Sequence, residues 1–290
     1  MKYIKYLKRY HTLENKNIIV TGANSGLGLE VSRYLLFLKA NLIMACRNEE
    51  KANKIKNQLL NEFPNSHIEV IKYDQASLSS IENFVNFIKD KKIDGLICNA
   101  GVYYPKKDMK TVDGFELTVG TNFIGTHYLL ELLDKKLTNE KTNVVIVNSL
   151  TAINSKLYLL KDQYKLSRNK LYGFSKLLLS IEASERIQAN HYQLVLAHPG
   201  VCSTNFHLSS KDTGLSSHFA LAGRRFLNIF THSASKAALS ILEALLGEGE
   251  KYVKPRGLFA ISGYPCRRRI PHKFNKKIIE KTNIFIKESR

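Results

Sequence analysis

Tyr172 and Lys176 stand four residues apart in the run Tyr172-Gly173-Phe174-Ser175-Lys176. On a helix this spacing places a phenol and an ammonium on one face. A free tyrosine has a pKa of about 10, too high to exchange protons readily at neutral pH. A neighbouring ammonium stabilises the phenolate and draws that pKa toward the working range, so the pair is a candidate general acid–base. A second pair with the same spacing, Tyr103 and Lys107, has Pro105 between its members, which disfavours a regular helix there. Ser149 follows the apolar run Asn143–Val147 at the end of a predicted strand. Its hydroxyl could hold a carbonyl oxygen beside the tyrosine, or serve only as a turn residue.

A second chemistry-bearing segment lies near the start. Thr21-Gly22-Ala23-Asn24-Ser25-Gly26-Leu27-Gly28 follows an apolar run and opens an amphipathic one. Glycines there permit a tight turn and let the backbone approach a pyrophosphate. The N-terminus of the following helix then offers N–H groups and positive dipole to the phosphate. An ordinary turn needs neither the three glycines nor that placement.

These groups need a frame, and the chain supplies one by alternating short apolar runs with longer amphipathic stretches, the signature of βαβ units and a parallel sheet. Strands are predicted at Asn17–Val20, Asn41–Ala45, Ile68–Lys72, Ile93–Cys98, Asn143–Val147, Gln193–Ala197 and Leu258–Ile261. Helices are predicted over Gly26–Leu38, after the N-cap Asn48, through Ile81, Phe84 and Ile88, from about Val112 to Leu133, and near Asn169–Gln188. The expectation is a doubly wound α/β (Rossmann) single domain with a seven-stranded, mostly parallel sheet over residues 17–265. A basic leader (1–16) precedes it and a basic extension (266–290) follows it. Residues 202–230, Ser-rich and punctuated by Gly, break the rhythm and read as a lid. Its Phe206, Leu208, Leu215, Phe219, Leu221, Phe226, Leu227 and Phe230 would suit a lipophilic substrate, or merely pack the segment down.

The Gly-x-x-x-Gly-x-Gly spacing resembles the cofactor turn of the short-chain dehydrogenases/reductases. The stretch from Gly22 to Ala45-Cys46-Arg47-Asn48 is similar to their retinol dehydrogenase-like branch. That resemblance covers about Asn15 to Phe285. It implies Ser149, Tyr172 and Lys176 as the catalytic serine, tyrosine and lysine, with Asn122 of Gly120-Thr121-Asn122 completing a tetrad through a water relay. Asn99-Ala100-Gly101 matches the motif that steadies the central sheet and borders the cofactor. Asp74, with Gln75 beside it, falls where the family contacts adenine, and Gln75 stands where leucine is common. Pro199-Gly200-Val201, with Thr204, resembles the segment that holds the nicotinamide carboxamide. Hydride would pass between the nicotinamide and a carbonyl carbon, with Tyr172 exchanging the proton. Lys176 would also hold the nicotinamide ribose.

Which nicotinamide cofactor is used depends on the end of the second strand. NAD sites place a carboxylate there for the ribose hydroxyls. Here Cys46 takes that place and Arg47 follows, a residue that pairs with phosphate bidentately, with Ser25 and Asn48 near enough to add hydrogen bonds. The expectation is NADP(H) over NAD(H), unless Arg47 is only a solvated charge.

The chain of 290 residues carries a formal net charge of +19. Residues 1–16 hold +4 and residues 266–290 hold +7, leaving a diffuse +8 over the remainder. No nucleic-acid module accompanies that charge, so no nucleic-acid partner is expected. The tyrosines of the leader among its lysines, aided by Arg267-Arg268-Arg269, could make a weak peripheral membrane contact, the alternative being a docked terminus. No run of apolar residues is long enough to span a membrane. The four cysteines form no paired motif, so no metal site is expected and a cytoplasmic, reduced setting is. The family also suggests a homo-oligomer. A cofactor-binding regulator without activity is the alternative to an enzyme.

Overall fold

The computed structural model describes residues 2–103, 105, 109–189, 192–203, 232–257, 260–270 and 278–289. Thr204 and nearly all of the expected lid lie outside the described residues.

Strands form where the β-branched runs lie. They are β1 (Asn17–Thr21), β2 (Asn41–Cys46), β3 (Ile68–Lys72), β4 (Gly95–Cys98), β5 (Asn143–Val147) and β6 (Gln193–Ala197). A small parallel pair, β7 (Cys202–Ser203) and β8 (His232–Ser233), stands apart from them. Then come β9 (Tyr252–Pro255) and β10 (Pro265–Arg268). The helices are α1 (Ile4–Leu7), α2 (Gly26–Phe37), α3 (Glu49–Glu62), α4 (Leu78–Phe87), α5 (Leu117–Val119), α6 (Gly125–Asn139), α7 (Arg168–Ala189), α8 (Ala234–Leu246) and α9 (Ile278–Ser289). A π-turn, Gly120–Ile124, joins α5 to α6.

The main sheet runs β10-β9-β6-β5-β4-β1-β2-β3 and is parallel except for β10. It holds eight strands rather than the expected seven. The apolar run Leu258–Ile261 is not the seventh strand: Leu258 and Phe259 lie outside the described residues, and Ala260 and Ile261 belong to a turn. The strand is instead Tyr252–Pro255, paired to β6 through Leu196↔Tyr252 and Ala197↔Val253. β10 then adds an antiparallel edge from the C-terminal extension. Central strands are buried on both faces, as parallel sheets require, and two apolar cores result. One lies under α4, α6 and α7 around Phe84, Phe123 and Phe174. The other lies under α2 and α8 around Tyr34, Leu35 and Ile241.

The basic leader docks on this frame. Leu7 is fully buried, and Tyr6 and Tyr10 donate to the Glu243 carboxylate, which also accepts from Arg9 and Arg267. Tyr6 also stacks on Tyr264, with centroids 5.6 Å apart. The Tyr6 and Tyr10 hydroxyls are thus engaged by the domain, while Ile4 stays exposed. Arg267 is equally committed, donating to the carbonyl oxygens of Glu243, Ala244 and Gly247 at the end of α8. At the other end, α9 is held by Glu185, whose carboxylate accepts from the Ile278 and Ile279 amides. Asn283 meets buried His127 at 2.9 Å. No helix among the described residues is long and apolar enough to cross a membrane.

Candidate active site

Strand order reverses between β1 and β4, and the carboxyl ends of the strands there open the crevice where doubly wound sheets take their ligands. Three turns meet at this edge. After β1, Gly22 (φ 67) and Gly26 (φ 54) adopt left-handed backbone that disfavours any side chain. A Cβ on Gly28 would overlap the Gly22 carbonyl oxygen, so α2 can start against the turn only with glycine there. Ser25, the N-cap of α2, makes no side-chain capping bond, and no acid lies in the first turn. The opening amides of α2 therefore face the crevice as donors suited to an anionic group. This donor set, with Asn24 and Leu27 in the same turn, fits a dinucleotide pyrophosphate.

After β4, Asn99 and Ala100 donate their backbone N–H groups to the Thr21 hydroxyl, each at 2.9 Å, and the Asn99 amide donates to the Thr21 carbonyl at 2.9 Å. Thr21 thus clamps the glycine turn to the Asn99-Ala100-Gly101 turn. It is a positioning residue that the sequence shows only as the first residue of the glycine run.

At the end of β2 the Cys46 side chain is buried, and burial pushes its thiol up to about 11 against the pull of the Asn24 and Ala23 amides. No carboxylate stands there. Arg47 is exposed beside it. Asn48 accepts from the Lys51 amide at 2.8 Å as the N-cap of α3, so its side chain serves the helix. Asp74 accepts from the Ala76 amide and closes its own turn. The Gln75 side chain turns inward and bonds to Ala100 and Thr121.

The catalytic candidates converge from three elements. Lys176 is buried on α7 and donates to the Val147 carbonyl at 2.9 Å, at the end of β5. Its ammonium lies 5.8 Å from the centroid of the Tyr172 ring, one turn back on the helix. Burial lowers its pKa to about 8. Ser149 follows β5 as the N-cap of a short 3-10 turn, with its backbone N–H held by the Asn148 side chain at 2.8 Å. That turn packs tightly on α7, where a Cβ on Gly173 would overlap the Ser155 hydroxyl. Asn122 lies in the π-turn. Its amide donates to the Val102 carbonyl at 2.9 Å and to the Ser175 hydroxyl at 3.2 Å, while its oxygen accepts from the Val102 N–H at 2.7 Å. Ser175 in turn donates to the Tyr172 carbonyl at 2.8 Å. Tyr103 adds an edge-on aromatic contact to Tyr172, with centroids 4.7 Å apart. Asn148 and Ser175 are members of this cluster that the sequence does not single out, and Tyr103 stood out there only as half of a pair with Lys107. Their signal was only adjacency to Ser149, Lys176 and the Gly101 turn.

Pro199, Gly200 (φ 86) and Val201 follow β6, and the Val201 amide donates to the Ile261 carbonyl at 2.9 Å. Among the described residues, no group of His, Cys, Asp and Glu has the makings of a metal site.

The arrangement can be compared with known proteins. A family model described as short chain dehydrogenase matches residues 16–213. Retinol dehydrogenase 13 of Homo sapiens is 33% identical over 208 residues, which is 67% of this chain and 61% of that protein. The short-chain dehydrogenase TIC 32 B of Brassica napus is 30% identical over 263 residues, 83% of this chain and 81% of that one. Among solved structures, an uncharacterised protein from Mycobacterium Paratuberculosis superposes with a TM-score of 0.68 at 25% identity, covering 96% of this chain and 92% of that one. Levodione reductase, at 19% identity and TM-score 0.65 over 80% of this chain and 91% of that one, shares the fold. With the glycine turn at the switch point of the sheet and 198 contiguous residues inside the family match, the chain belongs to the oxidoreductase family of short-chain dehydrogenases/reductases, in its retinol dehydrogenase-like branch.

Proposed function

We propose that the protein transfers hydride between NADP(H) and a lipophilic carbonyl or alcohol, with Tyr172 as the acid–base group. The observation that carries this reading is the placement of the Lys176 ammonium, buried, bonded to Val147 and one helical turn from Tyr172. An ammonium there favours the phenolate electrostatically, which brings Tyr172 within reach of neutral pH. Ser149 orients the substrate oxygen toward the phenol, and Asn122 connects the cluster to the Val102 turn. The bound cofactor supplies the hydride. The opening amides of α2 would hold its pyrophosphate, and Pro199–Val201 would border its nicotinamide end.

Preference for the phosphorylated cofactor is supported by Cys46, which offers no carboxylate to the ribose, and by the exposed guanidinium of Arg47. A lipophilic substrate is supported by the exposed Leu157 and Leu159, which follow the Ser149 turn in the chain, and by relatives named for retinol and protochlorophyllide. We place the enzyme in the cytoplasm as a homo-oligomer.

The test is NADPH oxidation against carbonyls running from small and polar to long and lipophilic. Turnover concentrated at the lipophilic end supports the reading. Tight NADPH binding with no turnover on any member would replace it with a cofactor-binding regulator.

A further inference from the structure

Gln75 immediately follows Asp74 and is buried at 4% exposure, and its amide nitrogen makes all its bonds outside its own loop. The nitrogen donates to the Thr121 carbonyl at 2.6 Å, the Ala100 carbonyl at 2.9 Å and the Thr126 hydroxyl at 3.2 Å. Its oxygen accepts from the Tyr73 hydroxyl at 3.2 Å. One side chain therefore ties the end of β3 to the turn after β4 and to the start of α6.

The Thr121 bond has a specific reason. In a continuous α-helix, the Thr121 carbonyl would accept from the N–H four residues on, at Gly125. Here that N–H bonds instead to the Gly120 carbonyl, five residues back, which is what makes the segment a π-turn. The Thr121 carbonyl is left without its helical donor in a buried place, where an unpaired carbonyl is costly. The Gln75 amide supplies the donor. Gly125 allows the approach, because a Cβ there would overlap the Gln75 backbone carbonyl oxygen.

The extra residue in the turn advances Asn122 around the helix axis, and Asn122 is the residue that reaches Val102 and Ser175. We propose that Gln75 is a positioning residue: it stabilises the π-turn at Gly120–Ile124 and thereby sets Asn122 against Val102 and Ser175, behind Tyr172. Leucine at this place could fill the space but could donate to neither carbonyl. The consequence for turnover rests on the function proposed above; the consequence for the turn does not.

Two variants and two readouts test it. Gln75→Leu removes the donor and keeps the bulk, whereas Gln75→Glu keeps the shape and loses the donor while ionised. In native-state hydrogen exchange, the Val102 amide should exchange about tenfold or more faster in either variant at neutral pH. The amides of Leu129 and Leu130 in α6 should stay near the parent values. In NADPH-dependent turnover, kcat should fall about ten- to hundredfold with little change in NADPH affinity. For Gln75→Glu, kcat relative to the parent should recover as pH falls, because a protonated carboxyl again donates to Thr121. Unchanged Val102 exchange would overturn the proposal. Faster exchange spread evenly over Val102, Leu129 and Leu130 would also overturn it, since that marks a merely structural role. If the parent protein turns over no carbonyl, the exchange measurement alone decides the role of Gln75. If Gln75→Leu does not fold, Gln75→Glu carries both measurements.

Discussion

The Lys176 ammonium sits 5.8 Å from the centre of the Tyr172 ring while its nearest hydrogen-bond acceptor is a backbone carbonyl, that of Val147. No carboxylate is among the causes that set the lysine's pKa; burial alone lowers it. A buried ammonium with no carboxylate partner among the described residues is costly to fold around.

That cost has a pH signature. The folded pKa is about 8 against an ordinary 10.5. Below about 8 both folded and unfolded states are protonated and the burial penalty is fully present. Between that value and 10.5 the unfolded chain binds more protons, so this group's contribution to stability rises with pH, by at most about 3 kcal/mol. Lys176→Met removes that rise. The melting temperature of the parent should therefore gain on the variant between pH 7 and pH 10 in cofactor-free thermal scans. Parallel curves would remove Lys176 as a buried titrating group.

Arg47 is expected to set cofactor choice. Arg47→Glu should weaken NADPH about ten- to hundredfold, through lost charge-assisted bonds and added repulsion. NADH affinity should change little. Calorimetric titration of both nucleotides measures this; equal losses would mean that Arg47 does not read the phosphate.

Glu243 gathers Tyr6, Tyr10, Arg9 and Arg267 around one nearly buried carboxylate. Glu243→Ala should destabilise the fold by about 2–4 kcal/mol, because Arg267 keeps its charge in a place water hardly reaches. Arg9→Ala should cost under about 1 kcal/mol, since half of its side chain is in solvent. Denaturant titration separates the two.

His127 and Glu182 form a fully buried pair at 2.9 Å that also touches Arg186 and, through the other imidazole nitrogen, Asn283 of α9. Burial opposes the imidazolium, but the Glu182 carboxylate outweighs it and raises the His127 pKa above 6.5. Burial likewise opposes the Glu182 charge, and His127 and Arg186 overcome it to hold that pKa below 4.5. The histidine's contribution is complete below its unfolded value and is lost as pH rises through the raised folded one; the glutamate's is lost only as pH falls through its depressed value. His127→Gln should therefore cost most stability at about pH 5–6 and progressively less in alkali. A pH-independent cost, read by thermal scans, would show that the fold does not raise the His127 pKa, and a cost that shrinks in acid would show that the buried imidazole is neutral.

Much of this frame was legible because parallel strands are short apolar runs and the turns between them carry glycine. The limits are as instructive. Leu258–Ile261 has the composition of a strand, but β9 is Tyr252–Pro255, a less apolar run that joins the sheet through only two residues of β6. Periodicity from Val112 onward suggested one long helix; it cannot register the one-residue π insertion, nor that residues before Leu117 turn back through the Lys110–Glu116 bridge. The sequence marks Gln75 only as standing where leucine is common, because its partners Ala100, Thr121 and Thr126 lie 25 or more residues away. The partner of the leader's tyrosines was hidden for the same reason: Glu243 is 233 residues beyond Tyr10.

The most direct test of the central claim is Tyr172→Phe, assayed for NADPH oxidation with a long-chain lipophilic aldehyde and for NADPH binding. Loss of the phenol should reduce turnover about a thousandfold or more, while NADPH binds within a few-fold of the parent. Undiminished turnover in Tyr172→Phe would contradict the account.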